Sequence, residues 1–315
     1  PNEYLVVAEN DMIFASTYGT SIRIAKDYSG SLKNGDETLR LIRVETNGAE
    51  TVVDEVYYSD ALPWPAEADG EGSSIQLIDE AEDNNRVANW AADTSALYTP
   101  GAANSVTDDL PAFPLVWLNE IQTASTTGKV DNFGDYDPWV ELFNAGSTAF
   151  TMTNCYLTDE YTNLFKWAFP AATAATSGFL NVWADNETGE TATTNYHANF
   201  RLSTTNGPLA LVYSNAGHVM IIDYMNYPTV QTNRSYGCFP DGDWANRVIF
   251  VYPSFGATNN DTRLVLIYIN EWMADNSGAY TDPADGHSNE DWFELYNAST
   301  NPVNLGGYTL TDNLG

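Results

Sequence analysis

The chain has 315 residues, of which 43% are apolar, enough to fill the cores of two ordinary domains or one large one. Its formal net charge is −31, from 12 Lys and Arg against 43 Asp and Glu. Such a field repels phosphate backbones and anionic lipid heads, which argues against nucleic acid as a partner. No apolar run approaches the roughly 20 residues that a membrane-spanning helix needs.

Runs in which apolar and polar residues alternate predict β-strands along the whole chain. In chain order they include LRLIRV, TVVDEVYY, WVELF and LALVY, and period-two alternation with β-branched and aromatic residues is typical of half-buried strands. Asn-Gly, Asp-Gly and Ser-Gly turn signals separate the runs about every 8 to 12 residues. The sequence therefore predicts an all-β protein, and the unit size indicates immunoglobulin-like β-sandwiches.

The chain also repeats itself. LVWLNEIQTAS at Leu115 is followed by DYDPWVELFN and YLTDE, and VLIYINEWMADN at Val265 is followed by SNEDWFELYN and YTLTDN. The N-terminal part instead matches the later half of the middle unit, since ETVVDEVYYS parallels HVMIIDYMNY. We predict the C-terminal part of a first unit at 1–105, a linker at 106–114, a complete unit at 115–258, a linker at 259–264 and the N-terminal part of a third unit at 265–315.

Two explanations of the partial outer units stay open. In one, the chain is a segment of a longer tandem array. In the other, copies join head to tail, so that the strands of one copy complete the sandwich of the next. Such a heterologous contact does not close on itself and would build a filament.

The ordered motifs resemble a known family. LNEI, DYDPWVELFN, FKWAFP, GFLNVWADN, HANFRLS and PSFGATN look like a bacterial lamin-tail domain, the immunoglobulin-like module also found at the end of nuclear lamins. The N-terminal part, with DEVYYSDALPWPAEADG and TPGAAN, resembles the same family with a longer insertion before the last strand. The resemblance implies immunoglobulin-like folds for tandem units.

Motifs for catalysis are missing from the sequence. It has three histidines and neither an H-E-x-x-H nor a G-x-S-x-G pattern, and we interpret His197 as structural. Glu120 and Glu141 could form a catalytic pair, but they recur as Glu271 and Glu294, and an active site seldom needs a copy in every repeat. Three roles stay open for these glutamates: accepting backbone hydrogen bonds, binding a metal, and catalysis.

Clustered carboxylates in the loops between these glutamates suggest a cation site. Carboxylates without a counter-cation repel one another, and Ca²⁺ with six to eight oxygen ligands would relieve that repulsion. A solvated acidic loop is the alternative. The candidate ligands are Glu120, Asp131, Asp135 and Asp137 in the middle unit and Glu271, Asp282, Asp285, Glu290 and Asp291 in the third.

One tryptophan and two cysteines complete the candidates. Trp64 lies between two prolines in a loop that no other unit shares, so it is either a contact for a sugar or a protein, or a ring folded back on its own domain. Cys155 and Cys238 could form a disulfide that closes a loop of about 80 residues, or they could be two buried thiols.

The sequence thus favours an extracellular or surface-attached, non-catalytic structural or adhesive protein. Abundant Thr, Ser, Asn, Asp, Gly and Tyr with scarce Lys is typical of extracellular bacterial β-proteins. We expect Ca²⁺ as the cofactor and the protein itself, neighbouring repeats or surface glycans as partners. The alternative is a carbohydrate- or protein-binding module of a larger secreted hydrolase, and an enzyme in its own right is the third hypothesis.

Overall fold

The fold is built from β-strands, which make up 35% of the computed structural model against 6% for helices, so the all-β prediction is confirmed. The chain divides into two compact units, Pro1–Asp261 and Thr262–Gly315. Among the described residues, no helix is long and apolar enough to cross a membrane. The structure describes residues 3–25, 28–260, 266–274 and 291–299 together with 302, 303, 305, 308, 310 and 311.

One α-helix, α1 (Asp11–Tyr18), precedes the strands. The Asn10 side chain caps it by accepting a hydrogen bond from the Ile13 amide at 2.9 Å. Short 3-10 turns lie at Ala66–Ala68, Val87–Asn89 and Thr188–Glu190. The strands are β1 (Glu37–Val44), β2 (Glu50–Tyr58), β3 (Ile75–Leu77), β4 (Trp90–Ala92), β5 (Val116–Gln122), β6 (Trp139–Asn144), β7 (Phe150–Thr151), β8 (Cys155–Thr158), β9 (Trp167–Ala168), β10 (Thr173–Ala174), β11 (Phe179–Trp183), β12 (Tyr196–His197), β13 (Gly207–Asn215), β14 (His218–Tyr227), β15 (Ser235–Cys238), β16 (Arg247–Phe250), β17 (Ile267–Met273) and β18 (Trp292–Asn297).

Two sheets form the centre of the first compact unit, Pro1–Asp261. A six-stranded sheet has the order β12-β11-β6-β5-β15-β16, and a four-stranded sheet has the order β14-β13-β8-β9. Their neighbouring strands run antiparallel except for β11 and β12, which are parallel. Apolar side chains of both sheets join in one buried cluster, in which Leu118, Leu142, Leu157 and Leu211 are fully buried. We call β5 to β16 the two-sheet unit.

The repeat that links the middle and last parts of the sequence recurs as a hairpin with the same irregularity. The register of β5–β6 shifts around Asn119, and the register of β17–β18 shifts around the matching Asn270. In the first hairpin, Asn119 Nδ2 donates to Glu141 Oε1 at 3.0 Å, and in the second, Asn270 Nδ2 donates to Glu294 Oε1. The two hairpins therefore share a bulge and the hydrogen bond that spans it.

The N-terminal part carries a second repeated hairpin. The register of β1–β2 shifts between Leu41 and Ile42, and the register of β13–β14 shifts between Leu211 and Val212, at the same place in the matched sequences. The β1–β2 hairpin is thus a structural copy of β13–β14, as the sequence parallel predicted.

The segment between β2 and β5 packs onto the two-sheet unit. Arg86 is 1% exposed, its guanidinium lies 3.4 Å from the centroid of the Trp117 ring, and it donates to the Ile222 and Pro114 carbonyls. Phe113 belongs to the buried cluster. Residues 106–114, predicted as a linker, are therefore part of the packed unit, and the predicted linker 259–264 is described only as far as residue 260.

Close approach of β15 to β5 depends on Gly237. A Cβ atom there would lie 2.2 Å from the Asn119 carbonyl oxygen, so one of the two strands must move to accept a side chain. We expect Gly237→Ala to lower the free energy of unfolding by about 2–3 kcal/mol, as overpacking does. Gly35→Ala is the matched control because nothing lies within 4 Å of its Cβ position. Urea unfolding of both variants checks this, and equal stability would contradict it.

Candidate functional site

The first glutamate of the repeated motif is an internal hydrogen-bond acceptor. Glu120 is fully buried in β5, where it accepts from the Ser235 hydroxyl, the Ser254 amide at 3.2 Å and the Ser254 hydroxyl at 2.9 Å. Burial outweighs these donors and raises the pKa of Glu120 to about 7. Its carboxylate joins β5 to β15 and to the chain that follows β16.

Its cross-strand partner has the same role. Glu141 is fully buried and accepts from the Asn119 and Asn181 side-chain amides, each at 3.0 Å, and from the Gly256 amide at 2.6 Å. Burial and the neighbouring Glu120 raise the pKa of Glu141 to about 8 despite these donors. The oxygens of both glutamates are thus occupied by groups of the protein.

The predicted acidic loop is organised around one aspartate. Asp131 Oδ1 accepts hydrogen bonds from the amides of Phe133, Gly134 and Asp135, at 2.7 to 2.9 Å. Burial opposes ionisation of Asp131, but these backbone donors outweigh it and lower its pKa. Asp135 is exposed, and its main-chain oxygen accepts from the Asp131 amide.

Two groups of three acidic or histidine side chains form where this loop meets the chain that follows β11. In each group, one oxygen or ring nitrogen atom from every side chain lies within 4.8 Å of the others. Glu120 and Asp135, which the sequence suggested as ligands, belong to neither group within the described chain. The first group is Asp131, Glu190 and His197, and the second is Asp137, Asp185 and Glu187.

His197 ties the two groups together. The ring is fully buried, Nδ1 lies 2.6 Å from Asp185 Oδ2, and Nε2 lies 2.9 Å from Asn132 Oδ1. Because the Asn132 amide nitrogen donates to the Glu190 carbonyl, its oxygen faces the ring. Both ring nitrogens therefore face acceptors. The Arg201 guanidinium supplies a positive charge, with Nη1 2.8 Å from Asp137 Oδ1.

Sequence reasoning missed half of these residues. Asp185, Glu187 and Glu190 lie in the acidic run DNETGE after β11, far from Asp131 along the chain. The run was visible, but its pairing with the loop depends on how β11 lies beside β6. An acidic loop before one strand and an acidic run after its antiparallel neighbour are therefore a signal for such a cluster.

Trp64 is folded into the protein. Its side chain is 3% exposed, and its ring nitrogen donates to the Tyr224 hydroxyl at 2.8 Å. Of the two hypotheses for this residue, the structure agrees with the ring folded back on its own unit.

The two cysteines are separate, buried thiols rather than a disulfide. Cys155 lies in the four-stranded sheet and Cys238 in the six-stranded sheet, where its Sγ donates to the Leu118 carbonyl at 3.3 Å. Burial raises the pKa of Cys155 to about 12 and that of Cys238 to about 11, so both remain protonated at neutral pH.

The third predicted repeat is described in part. Glu271 lies opposite Glu294 in the β17–β18 hairpin and is exposed, as is Asp291. The remaining ligand candidates of this repeat, Asp282, Asp285 and Glu290, lie outside the described residues.

Comparison of the chain with protein-family models, with curated proteins and with solved structures found no match in any of the three. The function must therefore be argued from the geometry.

Proposed function

We propose that the chain is a non-catalytic, extracellular structural or adhesive protein, built from tandem immunoglobulin-like repeats of the lamin-tail type. Its repeats complete one another's cores, and the partner is a second copy of the chain. The observation that carries this proposal concerns two hairpins, β17–β18 and β1–β2, each of which exposes an apolar face. In their structural copies, β5–β6 and β13–β14, the same faces are buried against each other.

The β17–β18 hairpin exposes one of these faces. Ile269 is 57% exposed and Trp272 is 69% exposed, whereas the matching Leu118 and Ile121 of β5 are fully buried. Exposed apolar faces of this kind mark interaction sites, because each large side chain left in water forgoes about 1.5–3 kcal/mol of burial free energy.

The β1–β2 hairpin exposes the opposite face. Leu41 is 63% exposed and Leu39 is 37% exposed, whereas the matching Leu211 and Leu209 of β13 are fully buried in the core cluster. In the two-sheet unit, the β5 and β13 side chains meet in one core cluster. The exposed faces of β17–β18 and β1–β2 are therefore the two halves of such a core, and a second copy offers the half that the first needs.

The roles of the repeated glutamates support a structural function. Glu120 and Glu141 have their oxygens occupied by serine, asparagine and backbone donors, which leaves no free carboxylate for acid-base chemistry. The composition, rich in Thr, Ser, Asn and Gly, supports an extracellular location.

Self-association is the test. We expect sedimentation velocity to show species that grow with concentration, and electron microscopy to show linear assemblies, because the two faces are different and the contact does not close. Ile269→Asp and Leu41→Asp should each abolish growth by placing a charge in the shared core. The control is Val219→Asp, which changes an apolar residue of β14 that is 44% exposed.

Mixing the two variants makes the test specific. Ile269→Asp protein keeps an intact β1–β2 face, and Leu41→Asp protein keeps an intact β17–β18 face. The mixture should therefore give a one-to-one complex and nothing larger. Wild-type protein that sediments as a monomer at all concentrations, or variants that assemble like Val219→Asp, would contradict the proposal.

A cavity supports a second candidate function, a binding module for carbohydrate. A space of about 320 Å³ between the β1–β2 hairpin and the two-sheet unit is lined by several aromatic residues, and pockets of about this size with aromatic walls suit small ligands. Glycan binding by monomeric protein, lost on Trp244→Ala, is the result that favours this alternative. The rings in the lining are Tyr57, Trp64, Trp117, Tyr224, Tyr236 and Trp244.

A further inference from the structure

Two buried carboxylate oxygens near His197 lack a donor. Asp131 is 8% exposed, and while its Oδ1 accepts three backbone hydrogen bonds, its Oδ2 receives none from the described part of the protein. Glu190 Oε2 is likewise buried without a donor there. Buried acceptors normally have partners, so two such oxygens on neighbouring carboxylates call for a ligand or a proton.

The spacing of these atoms suits a calcium ion. An oxygen of each carboxylate and a nitrogen of His197 lie within 4.8 Å of one another. Calcium binds oxygens at about 2.3–2.6 Å, so two of its ligands can lie up to about 5 Å apart.

The local charge is unbalanced. Five carboxylates meet around this point, and among the described residues the basic side chains that contact them are Arg201 and His197. An excess of negative charge remains even when both are counted as cations, and a divalent cation would offset it. The carboxylates are those of Asp131, Asp137, Asp185, Glu187 and Glu190.

The available atoms select the kind of metal. Both ring nitrogens of His197 are engaged, by Asp185 and by Asn132, so neither lone pair is free for a metal. Oxygens are what remain: the two carboxylates, with water to complete the shell. A hard cation that takes only oxygen ligands therefore fits better than zinc.

We propose that Asp131 and Glu190 bind one Ca²⁺ ion, which links the loop before β6 to the 3-10 turn at Thr188–Glu190. The second group is already paired with His197 and Arg201, and its contact with His197 holds that ring beside the first group. This site does not depend on the assembly proposed above, because it lies within the first compact unit.

Isothermal titration of the chelator-treated full chain with CaCl₂ tests this. We expect one saturable site with a dissociation constant between about 10⁻⁴ and 10⁻³ M, the range of extracellular calcium modules. Calcium should also raise the melting temperature of the same protein, since a ligand that binds only the folded state stabilises it.

Two variants remove the proposed ligands with little change in shape. Glu190→Gln and Asp131→Asn should each weaken calcium binding by about tenfold or more, because ligand charge sets affinity. The asparagine Oδ1 can still accept the three loop amides, so this variant should keep its fold. Glu67→Gln, at an exposed site in a 3-10 turn, is the matched control and should bind within about twofold of wild type.

The outcomes separate cleanly. Saturable calcium binding that both variants weaken and the control keeps supports the site. No calcium binding by the folded wild-type chain would mean that a shared proton alone joins the two carboxylates, and would overturn the proposal. So would binding of ZnCl₂ without CaCl₂, or equal calcium affinity in Glu190→Gln and Glu67→Gln.

Discussion

Replacing Asp223 with alanine should lower the free energy of unfolding by about 3–5 kcal/mol, the usual cost of removing one member of a buried ion pair. Asp223 is 6% exposed, and both its oxygens lie 2.8 Å from Arg247 Nη2. It also accepts from the amides of Leu118 and Tyr224, each at 2.8 Å. The carboxylate thus joins β14 of one sheet to β5 and β16 of the other.

The loss is large because the substitution leaves several groups buried without partners. The Arg247 guanidinium would keep its charge in a buried site, and the Leu118 amide would lose its acceptor. Chemical denaturation measures the effect. Asp109→Ala, at an exposed position, should change stability by less than about 0.5 kcal/mol.

A double variant checks the cause of this loss. Asp223→Leu with Arg247→Met removes both charges and should cost less than Asp223→Ala alone, because no buried charge remains unpaired. A loss below about 1 kcal/mol in Asp223→Ala, or a double variant much less stable than the single one, would show that the pair does not hold the two sheets together.

The second large effect is a fall in stability as the pH rises from about 4.5 to 8, caused by Glu120 and Glu141. Their pKa values, about 7 and about 8, lie above the ordinary value of 4.5. The folded state therefore binds protons that the unfolded chain releases, so the stabilisation is complete below pH 4.5 and is lost as the pH rises through the folded values.

The size of the pH effect follows from the shift in pKa. At about 1.4 kcal/mol for each pH unit, Glu120 alone contributes up to about 3 kcal/mol across this range. Glu141→Gln, which cannot ionise, should show a shallower fall than wild type. Glu67→Gln should keep the wild-type slope, because that side chain is exposed. Urea unfolding at several pH values in chelator measures the slopes, and parallel curves for all three proteins would contradict the assignment.

The strands and repeats could be predicted from the sequence because strand alternation and turn residues are local signals. Matching WVELF with WFELY predicted two copies of one unit, and the structure adds that both copies form a hairpin with a bulge, at Asn119 and at Asn270. The helix α1 was not predicted, since its eight residues bury nothing and the Asn10 cap is its main sequence signal.

The site was less accessible to sequence reasoning because its parts meet only through sheet packing. The loop at Asp131 was identified, but its partner Glu190 depends on which strand lies beside β6. Asp223 gave a signal of its own, a charge in the apolar run VMIIDYM. Its partner Arg247 could not be named, because the pair spans two sheets whose facing register is set by the whole core.

The shared bulge also bears on how the chain folds. Because β5–β6 and β17–β18 have the same register and the same asparagine bridge, either hairpin could dock on the β13–β14 strands while the chain is collapsing, a mispairing to which repeat proteins are prone. Arg86 distinguishes between them. It stacks on Trp117, and the matching position of the other hairpin is Tyr268. An arginine from the preceding segment thus favours docking of β5–β6 over docking of β17–β18.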